Sequence, residues 1–359
     1  MKETTMMQGE TTTLIFDGHN DVLSKLHAAQ PLDPASAFIN GYEAAIDLPK
    51  SRQGGFAGGF FAVYVPPTEV DHELRQEAMM ADRYELPLPP QLDWSHAVSV
   101  TMAQINILLE LEHQGALTIC RNVEDIRQSM KTGKIAAIMH IEGAEAIDAD
   151  LNMLNVLHAA GLRSLGPVWS RPTIFGHGVP FAFPSGPDIG PGLTEAGLRL
   201  VKRCDELGIL IDLSHMNQAG FHDVANHSGN PLVATHSNPH TICPHARNLT
   251  DDQLCMIRDS GGMVGLNFAT AFLRPDGKML PDVSAEIMIR HLDHLIMILG
   301  EDHVGLGSDY DGAMMPDWLA SAASLPDLVA ALHQHGFGET LITKLCVDNW
   351  LSVLGKIWK

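Results

Sequence analysis

Five short apolar runs in this chain end in His, Asp or Glu. Thr13–Phe16 runs into His19 and Asp21 in TLIFDGHND. Ile135–Ile141 delivers Glu142 in IAAIMHIEG, GILIDLSH closes on His215, PLVATH closes on His236, and HVGLGSDYDG carries Asp309. These are the side chains of metal binding and proton transfer. His19 and Asp21 are two apart, so on an extended chain they point to the same side. Alone, such a pair reads first as a helix-capping Asp beside a packed His, because motifs this short match by chance. The full set asks for more. One zinc ion takes about four N or O ligands, and a catalytic ion leaves one position for water. Two His, an H-x-D pair and a Glu exceed that need. Two zinc ions about 3.5–4 Å apart, sharing a carboxylate, would use all five and suit hydrolysis. Glu142 is the expected bridge, with His215 and His236 on one ion and His19 and Asp21 on the other. Asp309 is then free to move a proton. The chain holds 19 histidines, and lone ones such as His140, His177 and His245 read as structural or solvated.

These residues need a scaffold that brings distant strand ends together. Eight strand-like runs can be marked: Thr13–Phe16, Phe56–Val65, Ile135–Ile141, Arg163–Val168, Ile209–Leu213, Leu232–Thr235, Gly262–Phe268 and His303–Gly307. Amphipathic stretches alternate with them, as in Thr194–Gly208, which begins on a capping Thr and ends on Gly. Such alternation implies parallel strands joined by right-handed crossovers, and eight of them imply a (β/α)₈ barrel whose strand C-termini form one face. An open doubly wound sheet would carry a glycine-rich phosphate turn after its first strand, and DGHND is not one. All of 1–359 is expected to form one domain, with C-terminal helices over 324–359 packing on the barrel. Two Pro- and Gly-rich stretches break the rhythm. Pro66–Trp94 is expected to be a surface excursion. Arg171–Gly192 leaves the chemical face and is expected to act as a lid.

Composition bounds the function. Apolar residues make up 45% and charged residues 18%, ordinary for a folded chain with a sizeable core. A formal net charge of −20 argues against binding nucleic acid or anionic membrane. The five cysteines are scattered without a CxxC pair, so they read as small buried hydrophobes rather than a disulfide framework or thiolate zinc site. The start, MKETTMMQGETT, lacks a signal-peptide apolar core, and no stretch has the length of a membrane span. A soluble cytoplasmic protein is the expectation. The sequence sets no oligomeric state; a homodimer is the assembly to test.

In order, HND, HIEGAE, DLSH, THSNP, HARNLTDDQL and GSDYDG resemble the membrane dipeptidase (renal dipeptidase) family, zinc metallopeptidases of the amidohydrolase superfamily. The resemblance runs from about Phe16 to the C-terminal helices. It implies a (β/α)₈ barrel with two zinc ions that hydrolyses dipeptides, commonly tolerating a D-residue at the C-terminal position. It implies His19 and Asp21 on one zinc, Glu142 bridging, His215 and His236 on the other, and Asp309 as the proton-transferring aspartate. Arg247, in HARN, matches the arginine that binds the substrate's terminal carboxylate. A guanidinium suits that task, being a planar, charge-assisted fork; an ion pair with Asp251 or Asp252 is its structural alternative. There are departures. Trp169 stands where many relatives carry a substrate-contacting histidine, leaving that role vacant or to Arg171, His177 or a zinc ion. Ala269 follows Asn267-Phe268 where relatives often show an aromatic residue. Mammalian members are lipid-anchored, and no residue here supports an anchor. Another amidohydrolase activity, on an acylated amino acid or a lactam, is the alternative reading.

Overall fold

The computed structural model describes residues 12–30, 32–67 and 72–358. Eight parallel strands form its centre: β1 (Ile15–Asn20), β2 (Phe56–Tyr64), β3 (Ile135–Glu142), β4 (Leu162–Gly166), β5 (Leu210–Ile211), β6 (Val233–Ala234), β7 (Met263–Leu266) and β8 (Val304–Leu306). Each pairs with its neighbour in chain order, and β8 returns to β1. Between β5 and β6 the ring closes through the Asp212–Val233 bridge and a 2.9 Å bond from Leu213 N–H to Val233 O. The fold is the (β/α)₈ barrel expected from the alternation. Its strands read as unbroken apolar runs because helices cover them outside and side chains fill them inside; all eight residues of β3 are buried, His140 and Glu142 included.

Phe16, Phe60, Ala136, Ile138 and Val233 pack with Trp350 in one apolar cluster. Trp350 comes from the last helix, Asn349–Ile357, and its indole N–H donates to Leu306 O at 3.0 Å. The C-terminal helix thus plugs the barrel below the strand ends that carry chemistry. Close packing explains the glycine of FDGHND. A Cβ on Gly18 would lie 2.3 Å from Thr235 O and 2.5 Å from the Trp350 ring. Just beyond it the β1–β2 register slips, with Asp17 opposite Gly59 but Asn20 opposite Phe61. Three residue steps on β1 face two on β2, a bulge that re-aims the side chains at this strand end.

The excursion at Pro66–Trp94 does not stand apart on the surface. Tyr84–Glu85 pairs antiparallel with Ala182–Phe183 of the second irregular stretch, and Leu86 N–H donates to Phe181 O at 2.9 Å. Tyr84, Trp169, Phe181, Phe183 and Phe272 share one cluster above the strand ends. The two segments are joined through this short strand pair, and together they roof the site. No helix among the described residues is long and apolar enough to cross a membrane.

Candidate metal centre

β1, β3, β5 and β6 deliver His19, Glu142, His215 and His236 to one buried cluster. Glu142 turns one oxygen each way. Its Oε1 lies 3.1 Å from His215 Nε2 and 3.4 Å from His236 Nε2, and its Oε2 lies 3.7 Å from His19 Nε2. His19 Nε2 is in turn 3.4 Å from Asp21 Oδ2. Asp21 holds the N-cap position of the following helix yet makes no side-chain cap bond, so the capping explanation of H-x-D does not apply. Neither ring nitrogen of His19 has a hydrogen-bond partner.

The donor set fits metal ions. Ligands held about 2.0–2.2 Å from a tetrahedral ion lie roughly 3.3–3.6 Å from one another, close to the spacings above. The imidazoles are also oriented for it. Thr235 Oγ1 donates to Asp212 and so accepts from His236 Nδ1–H at 2.8 Å, which leaves the Nε2 lone pair facing the cluster. His215 Nδ1 lies 2.9 Å from Ser170 Oγ. Metal-ligating histidines are fixed by such outer partners. Electrostatics agree. Burial holds His215 and His236 well below the usual histidine range and lifts Glu142 well above that of a carboxylate. Burial opposes charge on His19, but Glu142, Asp21 and Asp309 outweigh it and push its pKa up to about 10. The carboxylates therefore call for positive charge between them.

Asp309 completes the ring from β8. Its Oδ2 accepts from Asn267 Nδ2 at 2.9 Å, and burial raises its pKa. Its ligand atom also falls within 4.8 Å of those of His19 and His236. Asp309 and His215 both sit at left-handed φ, 63° and 66°, a conformation that Asp and His tolerate better than most residues. Gly312 of GSDYDG is required by these carboxylates: a Cβ there would lie 2.1 Å from Asp21 Oδ2 and 2.7 Å from Asp309 Oδ1.

The three arginines and histidines left open by sequence separate clearly. Arg247 is buried and makes no ion pair with Asp251, which engages Thr241 and His294 instead. Its guanidinium is held by Ser237 Oγ at 2.7 Å and His236 O at 2.8 Å, with Nε unpartnered. Burial lowers its pKa to about 10, with Asp309, Asp212 and Glu142 pulling it back up. Arg171 does not face the cluster as a free cation. It is fully buried, bonded to Glu145 through Nε (2.9 Å) and NH2 (2.6 Å) and to Val65 O (2.9 Å). Removing one partner of a buried ion pair costs about 3–5 kcal/mol, so Arg171→Met is expected to lose about that in denaturant unfolding. Trp169 offers an apolar wall, its ring 5.8 Å from that of His215. His177 lies in the loop that donates Val179 N–H to His215 O, and its Nδ1 is buried without a partner. His140, set aside as structural, lies beneath the cluster with Asp212, its Nε2 also unpartnered. Ser170, Asn267 and Asp212 were not singled out from sequence. Asp212 and Asn267 had a visible signal, as the first residue of DLSH and in the Asn267-Phe268 pair.

Imidazole and carboxylate donors gathered at ion-ligand spacing on the C-terminal face of a (β/α)₈ barrel define a metal-dependent hydrolase. The model of the membrane dipeptidase family (peptidase family M19) matches residues 5–359, and the chain belongs to that family. It is a metallo-dipeptidase. A crystallised metallopeptidase from Rhodobacter sphaeroides, liganded with a phosphinate mimic of the dipeptide L-Ala-D-Ala, is 52% identical; the match covers 97% of this chain and all of that one, with a TM-score of 0.95. An uncharacterized protein in the pqqA 5' region of Klebsiella pneumoniae is 46% identical over 264 residues, 73% of this chain and 97% of its own length. An uncharacterized protein in the PQQ-III 3' region of Acinetobacter calcoaceticus is 39% identical over 284 residues, 79% and 89% of the two chains.

Proposed function

We propose that this chain is a dinuclear zinc dipeptidase that hydrolyses small free dipeptides, L-Xaa-D-Xaa types included. The observation that carries the reading is Glu142, whose Oε1 faces His215 and His236 while its Oε2 faces His19. His215, His236 and Glu142 would hold one ion, and His19, Asp21 and Glu142 the other. Zinc bound there supplies Lewis acidity and a water of lowered pKa. The chain's own groups do the rest. Asp309, steadied by Asn267, takes the proton of the attacking water and passes it to the leaving nitrogen. The aromatic roof excludes bulk water, which strengthens every charge interaction beneath it. The stereochemical part rests on the L-Ala-D-Ala mimic held by the Rhodobacter peptidase. Turnover of a stereochemically complete dipeptide library by zinc-loaded protein tests the reading. Failure on every dipeptide, with turnover of N-acyl amino acids or lactams, would replace it with another amidohydrolase activity.

Arg247 reads the substrate's C-terminal carboxylate in this scheme. That carboxylate lies only a few bonds from the leaving nitrogen, so a fixed cation sets the register and excludes longer peptides. A charged hydrogen bond is worth about 1.5–3 kcal/mol, roughly ten- to a hundredfold in kcat/KM. Arg247→Met should penalise free dipeptides by that factor and scarcely affect C-terminally amidated ones. An unchanged free-acid to amide ratio would assign carboxylate recognition elsewhere.

A further inference from the structure

The scheme leaves one half-buried cation unused. Arg75 sits on the roof helix His72–Ala78. Its guanidinium carbon lies 4.2 Å from the centre of the Phe181 ring and 5.6 Å from that of Trp169. Those rings are 6.2 and 5.8 Å from the His215 ring, so Arg75 stands one aromatic layer above the candidate centre. Tyr64, at the end of β2, has its ring 5.2 Å from Trp169 and closes the same wall. Arg75 lies within electrostatic reach of the site floor, where Asp309 attracts its charge and His215 feels it.

Arg75 Nε is buried without a hydrogen-bond partner, and among the described residues no Asp or Glu pairs with its guanidinium. Arginine cannot shed its charge by losing a proton, and a buried cation is costly unless paired. The aromatic faces offset part of that cost through cation–π attraction; they leave the N–H fork unfilled. Arg171 shows the contrast. It lies 5.5 Å from the same Trp169 ring, and its Nε and NH2 both donate to Glu145, leaving NH1 alone without a partner. A neutral dipeptide brings one carboxylate, which Arg247 takes. Arg75, with no Asp or Glu against it among the described residues, is left for a second anion, and the substrate is what arrives there.

We propose that Arg75 binds a side-chain carboxylate of the substrate, so that the enzyme favours dipeptides containing Asp or Glu. The proposal rests on the dipeptidase reading and on Arg247 holding the C-terminus. Its test compares near-isosteric acid and amide pairs, Ala-Glu with Ala-Gln and Glu-Ala with Gln-Ala, each in both configurations at the C-terminal residue. The ratio of kcat/KM for acid over amide is measured in wild type, Arg75→Met and Arg75→Lys. Wild type should favour the acid of one pair by about ten- to a hundredfold. Arg75→Met, which keeps the apolar stem against Phe181, should bring that ratio near one, and Arg75→Lys should restore part of it. A purely structural Arg75 would lower both members of each pair equally, so an unchanged ratio in Arg75→Met overturns the proposal. So does a wild-type ratio near one in both pairs. A third result also overturns it: loss of the preference for free over amidated Ala-Ala in Arg75→Met, which would make Arg75 the terminal-carboxylate anchor. Turnover of Ala-Ala and Ala-Gln keeps the dipeptidase reading standing through any of these outcomes. No turnover of any dipeptide by zinc-loaded protein would sink both.

Discussion

Glu142→Gln is expected to leave a folded barrel that holds one divalent ion or fewer, against the two proposed for wild type, and to lose turnover at least about a hundredfold. The substitution keeps volume and shape. It replaces one acceptor oxygen by an N–H donor, which repels a cation, and it removes the charge shared by both halves of the cluster. Loss of a hydrogen-bond partner behind a metal ligand typically costs about 10- to 100-fold in metal affinity or activity. Glu142 lies within 3.1–3.7 Å of all three histidine Nε2 atoms, so its loss should exceed that. Metal content by mass spectrometry after zinc reconstitution, together with kcat on a competent dipeptide, measures both effects. Wild-type protein that never exceeds one ion per chain would refute the dinuclear reading. A Gln variant that keeps two ions and full rate would remove Glu142 from the bridge.

Asp309→Asn should behave differently, keeping both ions while losing about 10²–10⁴-fold in kcat, the usual worth of a positioned general acid or base. Asn tolerates the left-handed backbone that Asp309 adopts, so the fold should not resist the change. The carboxamide can still accept the Asn267 N–H, so its placement survives while its ability to carry a proton does not. Asp309 also lies in reach of a metal position beside His19 and His236, and the experiment separates the two roles. Loss of an ion in the variant would make Asp309 a ligand. Retention of both ions with a near wild-type rate would hand the proton to another group.

The amino-acid sequence by itself determined the barrel and the members of the candidate cluster. Parallel strands buried on both faces appear as short apolar runs, and burial of this kind is written locally; Phe56–Val65, read from sequence, became Phe56–Tyr64. Barrel topology then sends every strand's C-terminus to one face, so His19, Glu142, His215, His236 and Asp309 converge although hundreds of residues separate the first from the last. What each cation touches was decided only by the tertiary structure. Arg171 and Arg247 both follow strands and look alike in one dimension, yet one is ion-paired to Glu145 and the other is held by Ser237 Oγ and His236 O with no carboxylate bonded to it. His140 and Asp212 became neighbours beneath the cluster through strand pairing that no local pattern announces. Arg75 lies in a Pro-rich stretch that the sequence reading left irregular, and only the folded chain brings it against Phe181 and Trp169. Periodic burial is a property of neighbouring residues and survives in the sequence; ion pairing and aromatic contact are properties of side chains brought within a few ångströms, and only the folded chain sets those distances.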